Sequence, residues 1–208
     1  MGLADRSVEE FLEAIAASTP TPGGGSVSAL CGALSAALSR MVSNLAIGKQ
    51  GYESVHDHLV GLEGRAGDLQ RRLVRLMEED ASAYDMVVAA MRRPKTNNAE
   101  REARVVAIQA AYLHATEVPL RTMEACSEAL EIALEAAEKG NRSAITDAGV
   151  AALLAEAGLR GASLNARINL AAIRDHSIRA KLEQRLSSIL SKADKVGHDV
   201  MALVEGRL

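Results

Sequence analysis

Aromatic side chains are nearly missing from this chain: 208 residues include one Phe, three Tyr and no Trp. That scarcity removes the stacking platforms on which single-strand nucleic-acid binders rely. It also disfavours a sheet, whose strands draw on aromatic and β-branched residues, and leaves a core of Ala, Leu, Val and Ile suited to close helix–helix packing. Cysteine is equally sparse. Cys31 and Cys126 are far apart, without metal-ligand spacing, and read as reduced core thiols of a cytoplasmic protein. There is no surplus of positive charge, since the formal net charge is −3. A basic face for phosphates is therefore excluded, and with it a nucleic-acid partner.

Linker-like runs, low-complexity tracts and fixed-period repeats are absent too, so residues 1–208 are expected to form one domain with a sizeable core. No apolar stretch follows the opening Met-Gly-Leu-Ala-Asp-Arg, which does not read as a signal peptide. Only Val27 to Ile47 approaches the length of a membrane span. Arg40, Asn44 and a scatter of serines interrupt it, and a buried helix rich in small residues is expected instead, with no membrane partner.

What is present is helical periodicity. Ser7 and Glu10 form a capping box ahead of Phe11, Leu12 and Ile15, and Pro20 and Pro22 close that first helix. A helix over 25–47, apolar nearly all round, should lie at the centre of the fold. A long amphipathic helix over 55–91 would extend about 55 Å at ~1.5 Å per residue. That is more than a compact chain of this size wraps comfortably, and it suggests a partner subunit. Helices over 99–139 (with Pro119 expected to kink it), 146–173 and 178–204 complete an all-α bundle of about six helices.

Few places can carry chemistry. Gly23, Gly24, Gly25 and Ser26 open a helix N-terminus whose bare N–H groups suit a negative or electron-rich ligand group, or serve only a tight turn. The glycines are expected to meet a need for positive φ or for close backbone approach to a ligand. Asp80 and Tyr84 sit one turn apart on the stripe of Met77 and Ala81. A carboxylate there is either solvated by a tilt of the helix or functional. Asp147, Asn165 and Asn169 adjoin small apolar positions, and the two asparagines share a face. The five histidines lack ligand spacing apart from His56 and His58, which point in different directions on a helix. No metal centre and no nucleophile–histidine arrangement is expected. Hydrolytic chemistry would have to run on carboxylate, lysine or backbone dipoles.

The ordered set Thr21-Pro22-Gly23-Gly24-Gly25-Ser26, Gly48-Lys49-x-x-Tyr52, Asp80-Ala81-x-Ala83-Tyr84, Pro94-Lys95, Val118-Pro119, Gly140-Asn141, Ser143-x-x-x-Asp147 and Gly161-Ala162-x-x-Asn165-x-x-x-Asn169-Leu170 resembles the cyclodeaminase/cyclohydrolase family. That family includes the C-terminal domain of formiminotransferase-cyclodeaminase and free-standing methenyltetrahydrofolate cyclohydrolases. The resemblance covers almost the whole chain and fits the free-standing type, since the chain has no room for a transferase domain. It implies an all-helical homodimer acting on a one-carbon tetrahydrofolate as substrate, with no further cofactor and with Asp80 as the catalytic residue. Lys49, in its motif, is the second candidate. Tyr84 stands where Phe is common, and Glu78 where some relatives have Asp.

A flat pterin would find stacking partners in Tyr52 and Tyr84, and less readily in Tyr112. Lys49, Arg92, Arg93 and Lys95 could hold the carboxylates of the glutamate tail. Hydrolysis of methenyltetrahydrofolate and ammonia-releasing cyclisation of formiminotetrahydrofolate both need one carboxylate, and the residues do not choose between them. A non-catalytic helical dimerisation protein is the remaining reading.

Overall fold

The chain's computed structural model describes residues 2–208, so Met1 of the expected domain lies outside the described residues. The capping box forms as read. Ser7 Oγ accepts the Glu10 N–H at 3.2 Å, Glu10 Oε2 accepts the Ser7 N–H at 2.8 Å, and α1 (Val8–Ala16) begins there. Five long helices follow: α2 (Gly24–Asn44), α3 (His56–Met91), α4 (Asn98–Lys139), α5 (Ile145–Leu170) and α6 (His176–Glu205). Short 3-10 turns occupy Leu3–Asp5, Glu53–Val55 and Arg142–Ala144. No strand occurs among the described residues.

Boundaries moved where side-chain caps intervened. The second helix stops three residues before the expected 47, where the chain turns towards Gly48 at φ 72°. The last helix starts at His176, ahead of the expected 178. There Asp175 Oδ1 accepts the N–H groups of Ser177 (2.9 Å) and Ile178 (3.0 Å), satisfying donors that have no helical partner. Pro119 does not divide α4, which runs unbroken for 42 residues.

The helices alternate in direction. Between α3 and α4 a ladder at seven-residue spacing records the antiparallel register: Arg65 pairs with Glu135, Arg72 with Glu128 and Arg121 with Glu79. These pairs are exposed and contribute little stability, so the ladder marks register while apolar burial holds the helices together.

As expected, α2 is the central helix and packs on α3, α4 and α5. Its small residues permit the approach: Ala29 and Ala36 are fully buried, and a Cβ on Gly158 of α5 would come 2.6 Å from the Ser28 carbonyl oxygen. Its buried serines do not carry unmet hydrogen bonds into the core at Ser28, Ser39 or Ser43. Each donates to the carbonyl four residues earlier, at 2.7, 3.1 and 2.9 Å. By length and composition α2 could cross a membrane, yet in this fold three helices surround it.

On the one side left open, α2 shows Leu34 and Met41, followed by Leu45 just past its end, and the adjacent α5 shows Val150, Leu153, Leu164 and Ile168. Arg40 turns to Glu63 and Gln70 of α3, and Arg160 turns to Glu156 and to Asp194 of α6.

Candidate active site

At one end of the bundle the α2 N-terminus, the last turns of α3, the part of α4 around Tyr112 and Ala115 and the end of α5 surround a cavity of about 400 Å³. Its walls include Thr21, Gly23–Gly25, Asp80, Tyr84, Tyr112, Asn165, Ile168 and Asn169, with Ala83, Val87, Val88 and Met91 along α3. Asp80 is the only carboxylate among these lining residues, and no Lys, Arg or His joins it. The apolar α3 stripe places it there, because positions 80, 83, 84, 87, 88 and 91 follow helical spacing on one face.

Asp80 meets the first turn of α2. The Ser26 hydroxyl lies 2.9 Å from the Met77 carbonyl oxygen and 3.3 Å from Asp80 Oδ2, and shares its single proton between them. Burial pushes the Asp80 carboxyl above its ordinary value of 3.8, and hydrogen bonds from the Ser26 side chain and backbone offset part of that rise. The result is a carboxylate with raised proton affinity, facing an otherwise uncharged cavity. Ser26 itself is fully buried beneath Asp80 and does not line the cavity, so it is placed to orient the carboxylate rather than to touch a ligand.

The glycines act differently from the expectation. None of the three has positive φ; in the described chain only Gly48 and Gly51 do. A Cβ on Gly24 would meet Asn165 Nδ2 at 3.6 Å, an ordinary contact, whereas a Cβ on Gly25 would overlap the Asp80 carboxylate itself. Close approach at Gly25 is therefore what the loop requires.

The residues expected to cooperate divide between the two ends of the bundle. Gly23, Gly24, Gly25, Asp80, Tyr84, Asn165 and Asn169 come together at the cavity. Lys49 and Tyr52 do not. They follow the C-terminus of α2, about 30 Å along that helix from Gly25. The Tyr52 hydroxyl oxygen there accepts the Arg142 N–H at 3.1 Å, and Lys49 Nζ lies 5.9 Å from the Tyr52 ring centre. Asp147 is also at that far end, in the first turn of α5, whose last turns carry Asn165 and Asn169. Lys95 is exposed in the loop after α3, and neither it, Arg92 nor Arg93 lines the cavity.

The ring in the cavity besides Tyr84 is Tyr112, ranked behind Tyr52 in the sequence reading. Nothing local in the sequence favours Tyr112. Its place depends on how α4 crosses α3 and α5.

The sequence profile of the formiminotransferase-cyclodeaminase family matches residues 7–188, most of the chain. The chain belongs to that family. Within it, this sequence is 38% identical to a methenyltetrahydrofolate cyclohydrolase of Methylorubrum extorquens over 98% of both chains. It is 33% identical to the formimidoyltransferase-cyclodeaminase of Rattus norvegicus, and the match covers 99% of this chain but 38% of that longer protein. The crystal structure of formiminotetrahydrofolate cyclodeaminase from Thermotoga maritima superposes with a TM-score of 0.89, at 27% identity and 98% coverage of each chain. The cavity with its single carboxylate thus lies in a fold shared with a methenyltetrahydrofolate cyclohydrolase and a formiminotetrahydrofolate cyclodeaminase.

Proposed function

We propose that this protein hydrolyses 5,10-methenyltetrahydrofolate to 10-formyltetrahydrofolate in one-carbon metabolism. One observation carries the reading: the cavity's only charged side chain is a half-buried carboxylate, the complement of a substrate whose bridging carbon is part of a delocalised N5=C–N10 cation. The full-length match to a cyclohydrolase supports it. Water attacks the bridging carbon and Asp80 accepts its proton, leaving a neutral tetrahedral adduct. Asp80 then returns the proton to N5 and the C–N5 electron pair goes to N5 as that bond breaks. The hydroxyl loses its proton to solvent as the formyl carbonyl forms on N10, and Asp80 is again a carboxylate.

Tyr84 and Tyr112 supply ring faces to the pterin, and the backbone at Gly23–Gly25 supplies donors. Lys95, four residues beyond Met91 at the rim, is the basic side chain offered to the glutamate tail. The reaction draws on no cofactor beyond the folate and is placed in the cytoplasm, in keeping with the two unpaired thiols. Ammonia-releasing cyclisation of formiminotetrahydrofolate is the second reading, favoured by the name of the structural neighbour. Incubation of the purified protein with each substrate separately decides. Loss of the methenyl chromophore supports hydrolysis, its appearance with ammonia from the formimino compound supports the deaminase, and neither change refutes both.

The active form is proposed to be a homodimer closed through the open α2/α5 face. Two helices side by side, each about 10 Å across and about 30 Å long, offer ~600 Å², near the ~800 Å² per partner of a stable interface. A dyad lying across the helices sets the two copies of α2 antiparallel, which their dipoles favour. It also carries one copy's Lys49, Tyr52 and Asp147 to the other's cavity, with Lys49 as the cationic counterpart to Asp80. Sedimentation showing only monomer at micromolar concentration would sink the dimer.

Lys49→Met and Asp80→Asn are each expected to be inactive as homodimers. Co-expressed, they regain about a quarter of wild-type activity, because half the dimers are mixed and each of those holds one intact site. No regain, or a Lys49→Met variant with wild-type turnover, removes Lys49 from the site.

A further inference from the structure

Pro119 lies inside α4, buried, where a proline is costly. It has no N–H, so the carbonyl of Ala115, four residues earlier, has no donor at the usual helical position. Ala115 is buried and lines the cavity. Its oxygen is instead satisfied from another helix: Asn169 Nδ2 of α5 donates to it at 2.7 Å.

A carbonyl can only accept, so the atom facing it must be the amide nitrogen. This contact fixes which way the Asn169 amide faces, leaving Oδ1 as an acceptor to which no donor bonds among the described residues. One turn earlier, Asn165 Nδ2 donates to the Gly161 carbonyl at 3.0 Å, so its Oδ1 is left in the same condition. With Asp80, three cavity residues therefore carry an acceptor oxygen that no donor of the described residues bonds beyond Ser26 at Asp80, while each amide keeps a second N–H.

We propose that Pro119 is a positioning residue that, by withholding an N–H from Ala115, orients the Asn169 amide so that its oxygen accepts a hydrogen bond from an N–H donor of the bound ligand. Resting on the tetrahydrofolate reading, that donor belongs to the reduced pterin, whose amino group and ring N–H groups are donors on one edge. Any other residue at 119 would offer its own N–H to the Ala115 oxygen, which has two lone pairs, so the Asn169 amide would no longer be its sole partner. The Asn169 contact would be weakened and the amide held less firmly in the orientation that presents Oδ1 to the ligand.

The test uses four forms of the full chain: wild type, Pro119→Ala, Asn169→Leu and the double variant. Thermal unfolding is followed for each, and tetrahydrofolate binding is measured by calorimetry below the onset of unfolding of them all. Pro119→Ala is expected to unfold no earlier than wild type, since Ala is the better helix former. It should nonetheless bind about tenfold more weakly, the effect of a lost hydrogen-bond partner, with KM raised and kcat changed less. Asn169→Leu alone loses stability, because the Ala115 oxygen is left unpaired. Adding Pro119→Ala restores that stability through the regained backbone bond and does not restore binding.

Wild-type affinity in Pro119→Ala, or the same stability loss from Asn169→Leu in both backgrounds, overturns the inference. If the wild type itself binds no tetrahydrofolate, the functional reading fails, while the stability cycle still reports on the link from Pro119 through Ala115 to Asn169.

Discussion

Asp80→Asn is expected to lower methenyltetrahydrofolate hydrolysis by roughly two to four orders of magnitude, the range for removal of a general base. The amide keeps the shape of the side chain and loses both the charge and the proton acceptor. Folding should survive, and its pH dependence gives a second readout. Burial raises the Asp80 carboxyl above 3.8, so the folded chain holds this proton to higher pH than the unfolded chain does. The contribution to stability is full below 3.8 and is lost as pH rises through the raised value. Asn has no charge to bury, so the variant's unfolding temperature should gain on wild type as pH rises through that window. Activity runs the other way, since the base must be ionised: wild-type turnover falls as pH drops through the raised value, and the variant's residual activity lacks that limb. A variant with more than about a tenth of wild-type turnover would move the catalytic role to Asp147 or Lys49.

Gly25→Ala is expected to cost about two orders of magnitude in turnover, the penalty of displacing a reacting group by roughly 1 Å. The added methyl falls on the Asp80 carboxylate, which must swing away from Ser26 or push the first turn of α2 aside. Gly24→Ala is the control, because its methyl meets only an ordinary contact at Asn165. Stability separates steric displacement from general damage. In Gly25→Ala combined with Asp80→Ala the overlap is gone, so the double variant should unfold at a higher temperature than Gly25→Ala alone and remain inactive. Wild-type rates in Gly25→Ala would show that the close approach has no catalytic purpose.

The Asp80 stripe is legible in the sequence, as is the glycine turn ahead of a helix, because both are local patterns. Two placements are decided by how helices run and cross. Lys49, Tyr52 and Asp147 stand in the same ordered set of motifs as Asp80, yet about 20 residues of continuous helix at ~1.5 Å each hold them at the other end of the bundle. Order along a chain carries no information about which ends meet. Ser26 looked like a ligand contact because it follows three glycines, and it is covered because α3 crosses that turn with Met77 and Asp80.

The amino-acid sequence alone determined the all-helical class, the six helices to within a few residues of their ends, the apolar character of α2 and the candidacy of Asp80. All of these depend on periodicity and capping, which act over one or two turns. Only the tertiary structure decided that Tyr112 lines the cavity while the same chain's Tyr52 stands at the other end of the bundle, that Gly25 rather than Gly24 meets the Asp80 carboxylate, and that Asn169 donates to the Ala115 carbonyl four residues before Pro119. Those outcomes follow from how helices cross. Crossing is set by side chains far apart in sequence that meet only once the core has packed.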